Sequence, residues 1–293
     1  MDLSKLRIGN SAGDVKRVEE VQKLSQAPIT HLVLGSITRE QRSGNEGNTF
    51  WVSPDGSYAL NARGLPSPGI AYYKKNGAQI ANIVHAGNTP KKLIVSIAAT
   101  QSNDDWQILA ACAAGFADGI EINISCPNKW KNGKRERIVA EDPVAVSTII
   151  SQVRDSVPSR YPLSVKVPPF LDLQNEGSVY FEMIDVFKQH VSSVQEIVSC
   201  NTLGGVSTVI DGEKILSVSE GGKSGPAIKE WSKLQVRSLV DALPQHRIIG
   251  VGGIQSAVDV REYLNAGASG VQIGTHFFQF GPRVFEDILG DLA

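Results

Sequence analysis

Ten residues, Gly119-Ile-Glu-Ile-Asn-Ile-Ser-Cys-Pro-Asn128, join an apolar run to an abrupt polar end. Apolar runs bounded by Pro and polar residues read as buried parallel strands. Two amides and a thiol at the carboxyl end of such a strand, Asn123, Asn128 and Cys126, point into the mouth of an α/β barrel or sheet, where ligands bind. The amides suit a polar planar ligand, and a thiol that titrates near 8.5 needs only modest tuning to move a proton at neutral pH. The competing reading is a buried structural cysteine flanked by turn-capping asparagines.

The elements that must position these groups follow from the pattern of the chain. Eight strand-like runs stand out: Arg7–Ala12, His31–Ser36, Leu93–Ala98, Gly119–Ile124, Leu163–Val167, Glu196–Cys200, Arg247–Val251 and Gly270–Gly274. Segments of 3.6-residue periodicity lie between them, among them Val15–Gln26, Trp106–Ala117, Pro143–Val157, Val179–Val191, Lys229–Leu243 and Ala257–Ala266. Asp142-Pro143 supplies a cap before a first-turn proline, and Gly267 stands where a helix should stop. Eight strand–helix alternations predict an α/β fold, a (β/α)8 TIM barrel rather than an open sheet. With no linker and no repeat, residues 1–293 read as one domain.

Three stretches interrupt the alternation, residues 37–69, 129–141 and 203–228, and all emerge from the carboxyl ends of strands. Long loops in a compact fold tend to be functional. A hairpin is expected around Asp211-Gly212. The basic run Lys129–Arg137 is offset by Glu136, Glu141 and Asp142, so it reads as a solvated lid and not as a nucleic-acid site. Gly252-Gly253 and Gly274-Thr275 end the last two strands, with Gly225 after the sixth. Loops at these places form the common phosphate site of TIM barrels, where the absent Cβ allows close backbone approach, although glycine also serves ordinary turns.

Composition narrows the remaining classes. The chain has 293 residues, is 41% hydrophobic and carries a formal net charge of −1. That balance suggests neither nucleic acid nor an anionic membrane as partner. No run of 18 apolar residues and no signal peptide are evident, so a soluble cytoplasmic protein is expected. Three cysteines at unrelated spacings, Cys112, Cys126 and Cys200, fit neither a disulfide framework nor a metal site.

The chain resembles the dihydroorotate dehydrogenases over essentially its whole length. The likeness rests on Asn10-Ser-Ala-Gly13, Gly35-Ser-Ile-Thr38 with Gly44-Asn45, Asn61-Ala-Arg-Gly-Leu-Pro66, Asn123-Ile-Ser-Cys-Pro-Asn128, Val165-Lys-Val-Pro-Pro169, Cys200-Asn-Thr202, Ile249-Gly-Val-Gly-Gly-Ile254 and Gln272-Ile-Gly-Thr275. The resemblance implies a barrel that holds FMN at its carboxyl face and oxidises dihydroorotate to orotate in pyrimidine biosynthesis. It further implies that Asn61, Asn123, Asn128 and Asn201 hold the pyrimidine, aided by Thr202, Gly64 and Leu65. Asparagine presents both an acceptor and donors to alternating carbonyl and N–H groups. Cys126 resembles the base of the soluble, class 1 branch, taking the C5 proton while hydride leaves C6 for flavin N5.

Lys166 resembles the lysine beside the flavin N1/O2 edge, where a cation offsets the charge of reduction. A buried strand-end lysine without a negative partner is costly, which supports a functional reading. By position Ala12, Gly13, Gly35, Ser36, Asn123, Cys200, Gly225, Gly252, Gly253, Gly274 and Thr275 should line the flavin, with Cys200 packing and not acting as a second base. One departure stands out. Class 1 enzymes carry a lysine at the position of Gly35, whereas Lys16 stands three residues after Gly13, as in the membrane-associated branch. Lys16 is read either as a substrate contact or as a solvated residue of the first helix.

A homodimer is expected, with an electron-transfer partner protein left open, as is the acceptor: fumarate, NAD through a separate subunit, or quinone. The alternatives are another pyrimidine-directed flavin oxidoreductase, resembling dihydropyrimidine dehydrogenase, or a silent FMN-binding subunit.

Overall fold

Parallel strands bury both faces and therefore draw on β-branched and aliphatic residues. The eight central strands of the computed structural model have that composition: β1 (Arg7–Asn10), β2 (His31–Ile37), β3 (Lys92–Ile97), β4 (Gly119–Asn123), β5 (Leu163–Val167), β6 (Glu196–Ser199), β7 (Arg247–Val251) and β8 (Gly270–Ile273). The structure describes residues 6–87, 91–100, 102, 104–125, 130–131, 134–135 and 138–292. The strands close in the order β1-β8-β7-β6-β5-β4-β3-β2, and the Gly9–His31 pairing of β1 with β2 completes the ring. The predicted (β/α)8 barrel is therefore the observed one.

Helices α1 (Val18–Leu24), α2 (Ile70–His85), α3 (Asp105–Ala114), α4 (Pro143–Asp155), α5 (Val179–Gln189), α6 (Lys229–Ala242), α7 (Ala257–Asn265), α8 (Thr275–Phe280) and α9 (Arg283–Leu292) follow the strands. Each of the longer ones turns one apolar stripe inward, as Val146, Ile149, Ile150 and Val153 do on α4. The Asp142 side chain accepts from Ala145 N at 3.0 Å, with Pro143 in the first turn, as the sequence suggested. On α7 the Ser256 and Asp259 side chains cap each other's backbone, which closes that helix start with the protein's own carboxylate.

Two excursions meet above the barrel. A four-stranded antiparallel sheet orders 203–207, 220–224, 59–61 and 50–52, so it joins the segment after β2 to the segment after β6. Leu60, Ala62 and Leu216 give this sheet its own small core. The expected hairpin pairs 209–210 with 213–214, with Asp211 and Gly212 both at positive φ, as a tight primed turn requires. In the third excursion Trp130–Lys131 pairs with Lys134–Arg135. Most of the stretch read as a lid, with Cys126 and Asn128, lies outside the described residues.

Candidate active site

The barrel interior carries charge where aliphatic layers are usual. Glu121 on β4 is fully buried, and its Oε2 accepts from Gln272 Nε2 on β8 at 2.8 Å. Gln272 Oε1 in turn accepts from Lys166 Nζ at 3.4 Å, and the ammonium lies 4.0 Å from Glu121 Oε1. The premise that Lys166 lacks a negative partner is thus corrected. Its partner sits one strand away, in the run Gly-Ile-Glu-Ile-Asn that drew attention for its other end. An ionisable residue inside an apolar strand was the available signal.

Above this layer a cleft opens among the strand ends. It contains about 1170 Å³ of atom-free space continuous with solvent. Around it stand Ala12, Gly13 and Lys16 from the first loop, Ser36, Asn123, Lys166, and Cys200 to Thr202. Gly225, Gly252, Gly253, Gly274 and Thr275 also line it, as do Asn61, Gly64 and Leu65. Register accounts for part of this arrangement, since Asn123 is directly opposite Lys166 across β4 and β5.

The amides are held by a chain of hydroxyls. Asn123 Nδ2 donates to Ser36 Oγ at 2.9 Å, which shares a proton with Ser96 Oγ at 2.8 Å. Asn123 Oδ1 accepts from the Ser125 backbone and hydroxyl, both at 3.2 Å, and Asn201 Nδ2 donates to the same hydroxyl at 3.0 Å. Ser125 therefore links two of the candidate asparagines, a link the sequence reading did not find. Asn61 Nδ2 donates to Gly222 O at 3.1 Å in the neighbouring excursion strand. The Thr202 hydroxyl is buried with no hydrogen-bond partner among the described residues, although such groups are normally satisfied.

At the glycine loops, Tyr263 Oη donates to Gly252 O at 2.7 Å and Thr275 Oγ1 bonds Ser224 Oγ at 2.9 Å. Gly253 has φ 66, and a Cβ there would meet Gly225 O and Lys229 Cβ at 2.8 Å. Only glycine keeps these two loops in contact. At Gly13, by contrast, a Cβ would meet nothing within 4 Å, so the space beside it is open.

Lys16 is not exposed on the first helix. It precedes α1, is 8% exposed, and its Nζ donates to Pro66 O. Beside it Asp14 pairs with Arg63, and burial raises the Asp14 carboxyl above its usual range while Arg63 and Lys16 hold it down. Gly35 does not line the cleft. Its amide and carbonyl bond Val15 and Gly13 in the first loop, and a Cβ would lie 2.6 Å from Ser96 O. This backbone leaves no room for a lysine side chain at that position. The Cys200 thiol lines the cleft, but burial pushes it up to about 12, so it stays protonated at neutral pH.

The dihydroorotate dehydrogenase family description matches residues 5–293. The chain belongs to that family. It is 33% identical over 244 residues to the catalytic subunit of dihydroorotate dehydrogenase B (NAD(+)) of Methanopyrus kandleri, covering 82% of this chain and 71% of that one. It is 30% identical over 284 residues to a probable dihydroorotate dehydrogenase A (fumarate) of Enterococcus faecalis, covering 94% and 85%. A crystal structure of the Eimeria tenella enzyme in complex with ferulenol superimposes with a TM-score of 0.82 at 21% identity, covering 98% of this chain and 80% of that one, which speaks for the fold. Among the described residues no helix is long and apolar enough to cross a membrane, and no cluster of His, Cys, Asp and Glu could hold a metal.

Proposed function

We propose that this member of the dihydroorotate dehydrogenase family oxidises dihydroorotate to orotate with FMN as its cofactor. The observation that carries the reading is one cleft lined by two chemically different sets of residues. Glycine loops after β7 and β8, asparagines from three separate segments and a buried lysine all line it.

The cleft fits the cofactor on its own terms. Its glycine loops offer backbone without side chains, and the unpartnered Thr202 hydroxyl marks polar capacity left for a ligand. Gly225, Gly252, Gly253, Gly274 and Thr275 would hold the phosphate, and Ala12, Gly13, Ser36 and Lys166 the ring system. When bound, FMN supplies a two-electron acceptor for hydride. Lys166 offers a cation in a site of low dielectric, where it counts for more than in water. Asn61, Asn123, Asn128 and Asn201 orient the pyrimidine, and a ligand lacking its amide groups would leave those side chains unpaired. Cys126 takes the proton from C5. Lys16 meets the substrate carboxylate, substituting for the lysine that Gly35 excludes.

The relatives' names divide between NAD(+) and fumarate as acceptor, and the homodimer expected from the resemblance belongs to this proposal too. The purified protein should be yellow, and dihydroorotate should bleach it under anaerobic conditions while dihydrouracil does not. Bleaching by dihydrouracil at a similar rate would overturn the substrate, and a colourless protein that takes up no FMN would overturn the cofactor.

A further inference from the structure

Lys166 is held from below as well as used from above. Its ammonium is nearly enclosed, and inside the barrel it approaches Gln272 Oε1 at 3.4 Å and Glu121 Oε1 at 4.0 Å. The Glu121 oxygen nearest the lysine has no hydrogen-bond partner among the described residues, while the other is taken by Gln272. The carboxylate also attracts Arg7 from the amino end of the barrel. One buried negative charge thus lies between two buried cations, with a neutral amide bridging it to the upper one. A purely structural ion pair would close to direct contact, because the desolvation cost of buried charges is recovered only with good geometry. Here the amide occupies the position of closest approach, and the lysine remains against the cleft.

We infer that Glu121 and Gln272 are positioning residues that keep the Lys166 ammonium at the cleft and set how strongly its charge favours the reduced cofactor. This rests on the FMN reading above. Glu121 partly offsets the lysine, so the field at the cleft is that of a damped cation. Gln272 keeps the two charges apart, so the damping stays partial.

The test is the midpoint potential of bound flavin in purified holoprotein, with the affinity of the apoprotein for FMN measured alongside. Glu121→Gln keeps the shape and removes the charge. It should move the equilibrium at least tenfold towards reduced flavin, roughly 30 mV for a two-electron couple. Glu121→Asp should bring it back towards wild type. In a Lys166→Met background the same Glu121→Gln change should have less than a twofold effect, because the ammonium through which the carboxylate acts is gone. Gln272→Met leaves both charges and removes the spacer. It should move the equilibrium the opposite way as the ammonium closes on the carboxylate, and it decides the matter alone if Glu121→Gln does not fold. Unchanged potentials in the variants that fold, at wild-type flavin occupancy, overturn the inference, as does an effect of Glu121→Gln that persists without Lys166. A wild-type protein that takes up no FMN would overturn the cofactor reading first, and this inference with it.

Discussion

The two ends of this barrel both bury charge, and they resolve it differently. At the amino end Arg7 pairs with Glu196, which also receives Arg247 Nη2 at 2.8 Å, so charge there is met by charge, although Arg7 Nε and Nη2 have no hydrogen-bond partner among the described residues. At the carboxyl end Lys166, Asn123, Asn201 and Thr202 border open space, and their contacts with one another leave polar capacity over. Buried charges that satisfy one another hold a fold together at best weakly, whereas polar groups arranged around a cleft await a ligand. The difference separates the structural from the functional more sharply than burial does, since Lys166 and Arg7 are both buried.

The comparison breaks or sharpens by substitution at either end. The largest effect is expected at the carboxyl end, where Cys126→Ser should slow anaerobic flavin reduction by roughly 10²–10⁴-fold, the range for a lost general base, and raise the pH it requires while FMN still binds. Rapid-mixing spectroscopy checks this, and a near wild-type rate at neutral pH would remove Cys126 from the role. At the amino end Glu196→Leu leaves the Arg7 guanidinium without its main partner. Unfolding free energy should fall by about 3–5 kcal/mol, read by denaturant titration, with FMN affinity changed less than threefold. A loss of FMN affinity as large as the loss of stability would erase the distinction between the ends.

Lys16→Ala removes one charge-assisted contact, worth roughly 1.5–3 kcal/mol. Orotate binding should weaken by about 10- to 150-fold at 1.4 kcal/mol per decade, while uracil, which lacks the carboxylate, binds nearly as before. Equal losses for both ligands, measured by flavin difference spectra, would reassign Lys16 to support of the first loop through Pro66.

The smallest effect belongs to His31 at the amino end. Burial, with Arg7, Arg247 and Lys92 nearby, lowers its imidazole to about 3 from an ordinary value near 6.5. The unfolded chain therefore binds a proton that the folded one refuses, and stability is lost as pH falls through the interval from about 6.5 to about 3. His31→Gln should flatten the melting temperature across that interval, and an unaltered acid slope would exclude His31 as its source.

Much of this could be seen in the sequence. All eight barrel strands lie within about two residues of where the apolar runs suggested, because a buried parallel strand has to be apolar on both faces. Helix α2 escaped notice for a physical reason. Gly77 interrupts its pattern, yet a Cβ there would meet the Phe116 ring at 2.6 Å, so the glycine reports a close contact and not a break. Among the candidate ligands, Asn123 and Asn201 were visible as strand-end residues. The hydroxyl of Ser125 that joins them was not, because the contact spans 76 positions. The Glu121–Gln272 bond spans 151, and no local pattern encodes such a pairing. Lys16 could be numbered but not located, since burial depends on Pro66, 50 residues away.

The sheet above the cleft has a consequence for how the molecule comes into being. Asn61 reaches Gly222 across 161 positions of chain, and strand 59–61, paired locally with 50–52, finds its second partner in 220–224. A growing polypeptide can assemble five or six barrel strands while one edge of its ceiling is still unmade, and pairings at such separation form slowly. The sheet is therefore completed only in the nearly finished chain, and a nick between 207 and 220 should blunt recognition while the barrel beneath it stands.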